Sequence, residues 1–165
     1  IPDFGRVIRL NLDSVLSPEG SPGLSPEQIG GVALASAYAL MHTELTNGVA
    51  TGPAAALSPE TIEAAKAAAT IMGMNNVYYR TLHLLEDKEF AKMPARLRMN
   101  VIGKPGIPKA DFELMSLAVS ALSGCGMCIN AHVHEVKKAG ISNEGIQSTI
   151  RIAAVLNAAK QALMI

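Results

Sequence analysis

The chain reads as an all-α protein, one helical domain over residues 1–165. Three observations predict this. Between proline- and glycine-rich breaks, apolar residues recur at three- and four-residue spacing, the period of a helix with one buried side. No segment of any length keeps the strict alternation of a half-buried strand. Hydrophobic residues make up 49% of the chain and charged residues 17%, the balance of an alanine-rich globular domain rather than a disordered one.

The elements follow in order. Ser17 to Pro26 reads as a loop. Ser25-Pro26-Glu27-Gln28 then supplies a capping serine, a first-turn proline and an early acid ahead of Ile29, Val32, Leu34 and Ala37, which is a helix start. Thr46 to Pro53 reads as a second loop. Ser58-Pro59-Glu60-Thr61 repeats the start signal and opens a helix with Ile62, Ala65, Ala69 and Met72 on one side. A pause is expected at Gly73, before Val77, Leu82 and Leu85 continue the apolar face. Asn100 to Lys109 holds Gly103-Lys104-Pro105-Gly106-Ile107-Pro108 and is expected to lack regular structure. A helix restarts near Lys109, with Phe112, Met115, Val119 and Leu122 as its stripe up to Ser123-Gly124. Another begins at the cysteines and ends at Gly140 after Lys137 and Lys138, and Ser142-Asn143-Glu144 caps the last. A shift of 51 residues lays Gly73 on Gly124 and His83 on His134, a faint echo that suggests a duplicated helix pair with thiols in the second copy only.

Charge and hydropathy exclude several classes. Lys plus Arg and Asp plus Glu each number 14, so no basic excess draws the chain to nucleic acid or an anionic membrane. No apolar run approaches the roughly 20 residues needed to cross a bilayer. With no charged and apolar leader pattern after Ile1, a cytoplasmic location is expected. No GxGxxG after a strand, no GxxxxGK and no serine-centred elbow is present, so nucleotide and acyl-transfer chemistry lack a motif.

Chemistry concentrates at the only two cysteines, Cys125 and Cys128, in Ser-Gly-Cys-Gly-Met-Cys-Ile-Asn-Ala-His. One close CxxC in an otherwise thiol-free chain reads as redox or metal chemistry rather than a secreted disulfide scaffold. On a helix starting near Gly124, Cys125, Cys128 and His132 share one face, and the helix N-terminus stabilises a thiolate there. His132 stands one turn from Cys128, which makes Cys128 the candidate nucleophile and Cys125 its disulfide partner. The opposite order stays open, because Cys125 lies nearer the dipole end. Glu113, on the preceding helix, either orients His132 and relays a proton or is a solvated first-turn acid. His134 falls about 200° around the helix from His132 and reads as a surface or packing residue, and His42 and His83 read as structural. Two bland alternatives compete for the thiols: buried space-fillers, or a zinc site from Cys125, Cys128, His132 and Glu113. Met72, Met74, Met93, Met99, Met115 and Met164 read as core or interface filler.

The order Glu113, eleven residues, Cys125, two residues, Cys128, three residues, His132 resembles the active-site signature of the AhpD-like branch of the carboxymuconolactone decarboxylase-like family. The likeness extends to Ile1-Pro2-Asp3-Phe4, Ile8-Arg9-Leu10-Asn11-Leu12, Ile71-Met72-Gly73-Met74-Asn75-Asn76-Val77-Tyr78-Tyr79-Arg80, Leu97-Arg98-Met99-Asn100 and Pro105-Gly106-Ile107-Pro108-Lys109. The resemblance implies an all-helical homotrimer with low peroxidase activity toward organic hydroperoxides and no bound cofactor or metal. It implies that the disulfide is reduced by a lipoyl group on a dihydrolipoamide acyltransferase and that electrons pass on to an AhpC-like peroxiredoxin. It carries over Cys128 as peroxidatic thiolate, Cys125 as resolving cysteine, His132 as base and Glu113 as part of the proton relay. One position departs: the family's best-known form has a histidine before the second cysteine, where this chain has Met127. The rival readings are a thiol-disulfide oxidoreductase with weak or no peroxidase activity, and a CxxC redox or metal sensor.

Overall fold

Nine α-helices carry the chain in the computed structural model, which describes residues 1–165 and contains no strand. A 3-10 turn at Asp3–Gly5 leads into α1 (Arg6–Val15). There follow α2 (Pro26–Leu40), α3 (Thr43–Thr51), α4 (Pro59–Leu84), α5 (Glu89–Lys92), α6 (Asn100–Gly103), α7 (Lys109–Ser123), α8 (Gly126–Lys138) and α9 (Asn143–Met164).

Two helices are enclosed on all sides along part of their length. Every residue from Ile29 to Ala37 in α2 and from Phe112 to Ser120 in α7 is buried. A helix apolar all round belongs in the interior of a bundle, and α7 accordingly packs against α2, α4, α8 and α9. Gly31 of α2 faces α7, and a Cβ there would stand 2.5 Å from the methyl carbon at the tip of the Met115 side chain. Polar ties fix the register of these helices. Gln28 Nε2 donates to Asp111 Oδ1 at 2.8 Å between α2 and α7, and Asn76 of α4 bonds Ser120 and Ser123 of α7.

The expected start signals are realised. Ser25 Oγ accepts from the Gln28 amide while Gln28 Oε1 accepts from the Ser25 amide, and Ser58 and Ser142 cap α4 and α9 through the amides of Thr61 and Gly145. Four expectations are corrected. The stretch expected as a loop from Thr46 to Pro53 is largely α3, because His42 Nδ1 accepts from the Leu45 amide and Leu45 and Val49, one turn apart, are buried. Asn100 to Lys109 contains one helical turn, α6, since the chain breakers begin only at Lys104-Pro105. Helix α4 runs through Gly73 without a pause, held on its inner side by buried Met72, Asn75 and Asn76. The aligned second copy is two helices separated at Gly124, so the echo at 51 residues is not a repeated helix pair.

Candidate active site

The turn between α7 and α8 builds the site. At the end of α7, Gly124 takes the left-handed conformation, φ 67°, which glycine adopts without a Cβ clash. The chain reverses there and α8 folds back along α7. Cys125 is therefore not on the helix face expected of it; it is the N-cap of α8, with extended backbone, and its Sγ accepts from the Cys128 amide at 3.3 Å. Cys128 is the third helical residue, and the two sulfurs form a disulfide with Cα atoms 5.3 Å apart. No metal-binding group of three or more His, Cys, Asp or Glu side chains is present, and in this state neither sulfur has a thiolate to offer.

Accessibility separates the two cysteines. Cys125 is 0% exposed, whereas Cys128 is 6% exposed and lines a cavity of about 380 Å³ between α4, α6, α7 and α8. Apolar walls come from Met72, Tyr79, Ile102 and Met127, and polar atoms from Asn75, Glu113 and His132. Lys109 and Glu135 also line it, and they form an ion pair at 3.3 Å. The lysine's hydrogen bond and charge hold the Glu135 carboxyl below its ordinary pKa.

Helix reversal brings Glu113 against His132. Glu113 is 3% exposed and its Oε2 lies 2.6 Å from His132 Nδ1, so the solvated-acid reading of this residue is overturned. The other ring nitrogen, Nε2, lies 3.2 Å from Met72 Sδ. A thioether has no hydrogen to give, so that contact is a hydrogen bond only when Nε2 carries the proton. Nδ1 and the Glu113 carboxyl then share the remaining proton of the pair. Neither ring nitrogen bonds a cysteine sulfur in the disulfide state, although His132 and Cys128 line the same cavity.

Along its whole length the chain resembles proteins named alkyl hydroperoxide reductase AhpD. It is 52% identical over 165 residues to that of Coxiella burnetii (strain RSA 493 / Nine Mile phase I), covering 100% of this chain and 93% of the relative. The protein of Rhodospirillum centenum (strain ATCC 51521 / SW) is 53% identical over 158 residues, 96% of this chain and 83% of its own. That of Brucella suis (strain ATCC 23445 / NCTC 10510) is 48% identical over 163 residues, 99% and 91%. The chain belongs to the AhpD family. Residues 88–164 also match the carboxymuconolactone decarboxylase family model, which spans the cysteines.

For this AhpD-family chain, sequence reasoning found Cys125, Cys128, His132 and Glu113, and the structure gathers all four at one helix reversal. It missed Met72 as the neighbour of His132 and Asn75 as the neighbour of Cys128, whose Sγ lies 3.9 Å from the Asn75 carbonyl oxygen. Only the positions of Met72 and Asn75, three apart on one α-helix, hinted that they share a face. His134 is exposed, as expected, and so is His83; His42 caps α3, a structural role.

Proposed function

We propose that this protein is a thiol-dependent peroxidase that reduces organic hydroperoxides through the Cys128/Cys125 couple. In this reading it takes electrons from a lipoyl group on a dihydrolipoamide acyltransferase and delivers them to an AhpC-like peroxiredoxin. The observation that carries the reading is the unequal exposure of the cysteines. The cysteine that lines the cavity is Cys128, while Cys125 is enclosed, within disulfide reach.

The reduced Cys128 thiolate attacks the terminal oxygen of R–O–OH. An S–O bond forms, the O–O bond breaks, and the departing alkoxide takes a proton from the Glu113–His132 pair, giving ROH and Cys128 sulfenic acid. The Cys125 sulfur then displaces hydroxide from Cys128; with the thiol proton this leaves as water, and the disulfide is formed. In the return half, a dithiol donor attacks the accessible Cys128 sulfur, and Cys125 departs as a thiolate. The Cys128 amide N–H at the start of α8 is placed to stabilise that leaving group. The donor's second thiol resolves the mixed disulfide and frees Cys128. Apolar walls, Met127 among them, suit a greasy hydroperoxide or the hydrocarbon arm of a lipoyl group.

Thiol titration of the reduced protein tests this. One equivalent of an organic hydroperoxide is expected to consume both thiols, and dihydrolipoamide to restore both. Thiols that ignore the hydroperoxide yet exchange with protein disulfides would replace the peroxidase with a thiol-disulfide oxidoreductase.

A further inference from the structure

Asn75 and Asn76 are adjacent on α4 and meet opposite fates. The Asn76 amide is engaged at both ends: Oδ1 accepts from Ser120 Oγ at 2.9 Å, and Nδ2 donates to Ser123 Oγ at 3.0 Å and to the Val119 carbonyl at 3.4 Å. Asn75 is 5% exposed and lines the cavity, and its Oδ1 is enclosed with no hydrogen-bond partner. Buried polar atoms are nearly always paired, and the exceptions call for a specific explanation. The backbone carbonyl of the same residue lies 3.9 Å from Cys128 Sγ, which keeps Asn75 beside the reacting sulfur. An unpaired acceptor at that place asks for a ligand that brings a hydrogen.

Resting on the peroxidase reading, we propose that Asn75 binds the substrate: its side-chain amide, whose enclosed Oδ1 has no hydrogen bond to lose, turns toward the cavity so that the carbonyl accepts the O–H of the hydroperoxide and holds the terminal oxygen at Cys128 Sγ. The bonded hydrogen sits on the oxygen that is transferred. When the S–O bond forms and the O–O bond breaks, that hydrogen stays with the Cys128 sulfenic acid and keeps Asn75 as its acceptor. The alkoxide draws its proton from the Glu113–His132 pair, so Asn75 gains and loses none. Orientation of the O–OH group is thereby separated from proton supply, with α4 providing the first and the α7–α8 pair the second.

The test compares wild type with Asn75→Leu, close in size and without polar atoms, and with Asn75→Ala should the leucine variant fail to fold. Two rates are read on each: thiol loss from the reduced protein with cumene hydroperoxide, and reduction of the disulfide by a phosphine, which carries no O–OH group. Losing one neutral hydrogen bond to the substrate is expected to slow the hydroperoxide step about tenfold, with the phosphine rate unchanged. Equal slowing of both rates would make Asn75 a structural residue and overturn the proposal, as would a native hydroperoxide rate in either variant. A wild-type protein whose thiols do not respond to cumene hydroperoxide would overturn the peroxidase reading itself, and Asn75 with it. That failure is read in the wild-type arm alone.

Discussion

Glu113 and His132 lie 19 residues apart in sequence and 2.6 Å apart in space, both enclosed. A carboxyl and an imidazole in direct hydrogen-bond contact hand protons on as one unit, because a proton on either can lie in the bond between them. Glu113→Gln keeps the size and a hydrogen-bonding group but removes the ionisable carboxyl. It is expected to lower the rate of Cys128 oxidation by hydroperoxide about 10²-fold, read by stopped-flow thiol loss. A rate within twofold of native would show that the pair serves the fold alone. The cysteines and His132 could be read from sequence because eight consecutive residues of one turn and helix carry them. Glu113 was ambiguous because a first-turn acid and a buried partner look alike until the chain reversal at Gly124 is known. Met72 could not be separated from core filler, since a thioether against an aliphatic neighbour and one against an imidazole leave the same trace in sequence.

At the scale of elements, α4 shows how packing overrides propensity. Gly73 lies on its exposed side, with nothing within 4 Å of the position a Cβ would take. Gly73→Ala is therefore expected to stabilise the protein by about 0.5–1 kcal/mol by reducing the entropy that the helix loses on folding. Thermal or urea unfolding measures it, and a loss of stability would show that this face is covered. Helices α7 and α8 are joined at the cavity by Lys109 and Glu135, both solvent-accessible. Because the ammonium stabilises the carboxylate, the folded Glu135 titrates below its ordinary value. The pair's contribution is thus fully present above the unfolded glutamate pKa and is lost as pH falls through the lower, folded one. In Lys109→Met the Glu135 midpoint, followed by carbon NMR, is expected to rise toward the ordinary value, with the melting temperature little changed because the ion pair is solvated. An unchanged midpoint would mean the two groups do not interact in solution. The caps of α2, α4 and α9 were readable because serine followed by its helix is a local signal, whereas α3 was not, because it depends on burial of Leu45 and Val49.

Across the whole molecule, the all-α class follows from patterning that any window of the chain displays. No helix is long and apolar enough to cross a membrane. Which helix stands at the centre could not be read the same way: α2 and α7 are both apolar on several sides, and only their mutual packing shows that α7 meets α2, α4, α8 and α9 together. That central position carries Glu113 inward and sets α4 across from the cysteines. By itself, the sequence determined the helical class, the capped starts and the thiol pair with its histidine, because each rests on interactions within about two turns of chain. The tertiary structure alone decided that Cys128 faces the cavity while Cys125 is enclosed, that Glu113 engages His132, and that Met72 and Asn75 complete the site. These depend on how helices far apart in sequence pack, and the periodicity of a single helix says which residues turn inward but not what they will meet there.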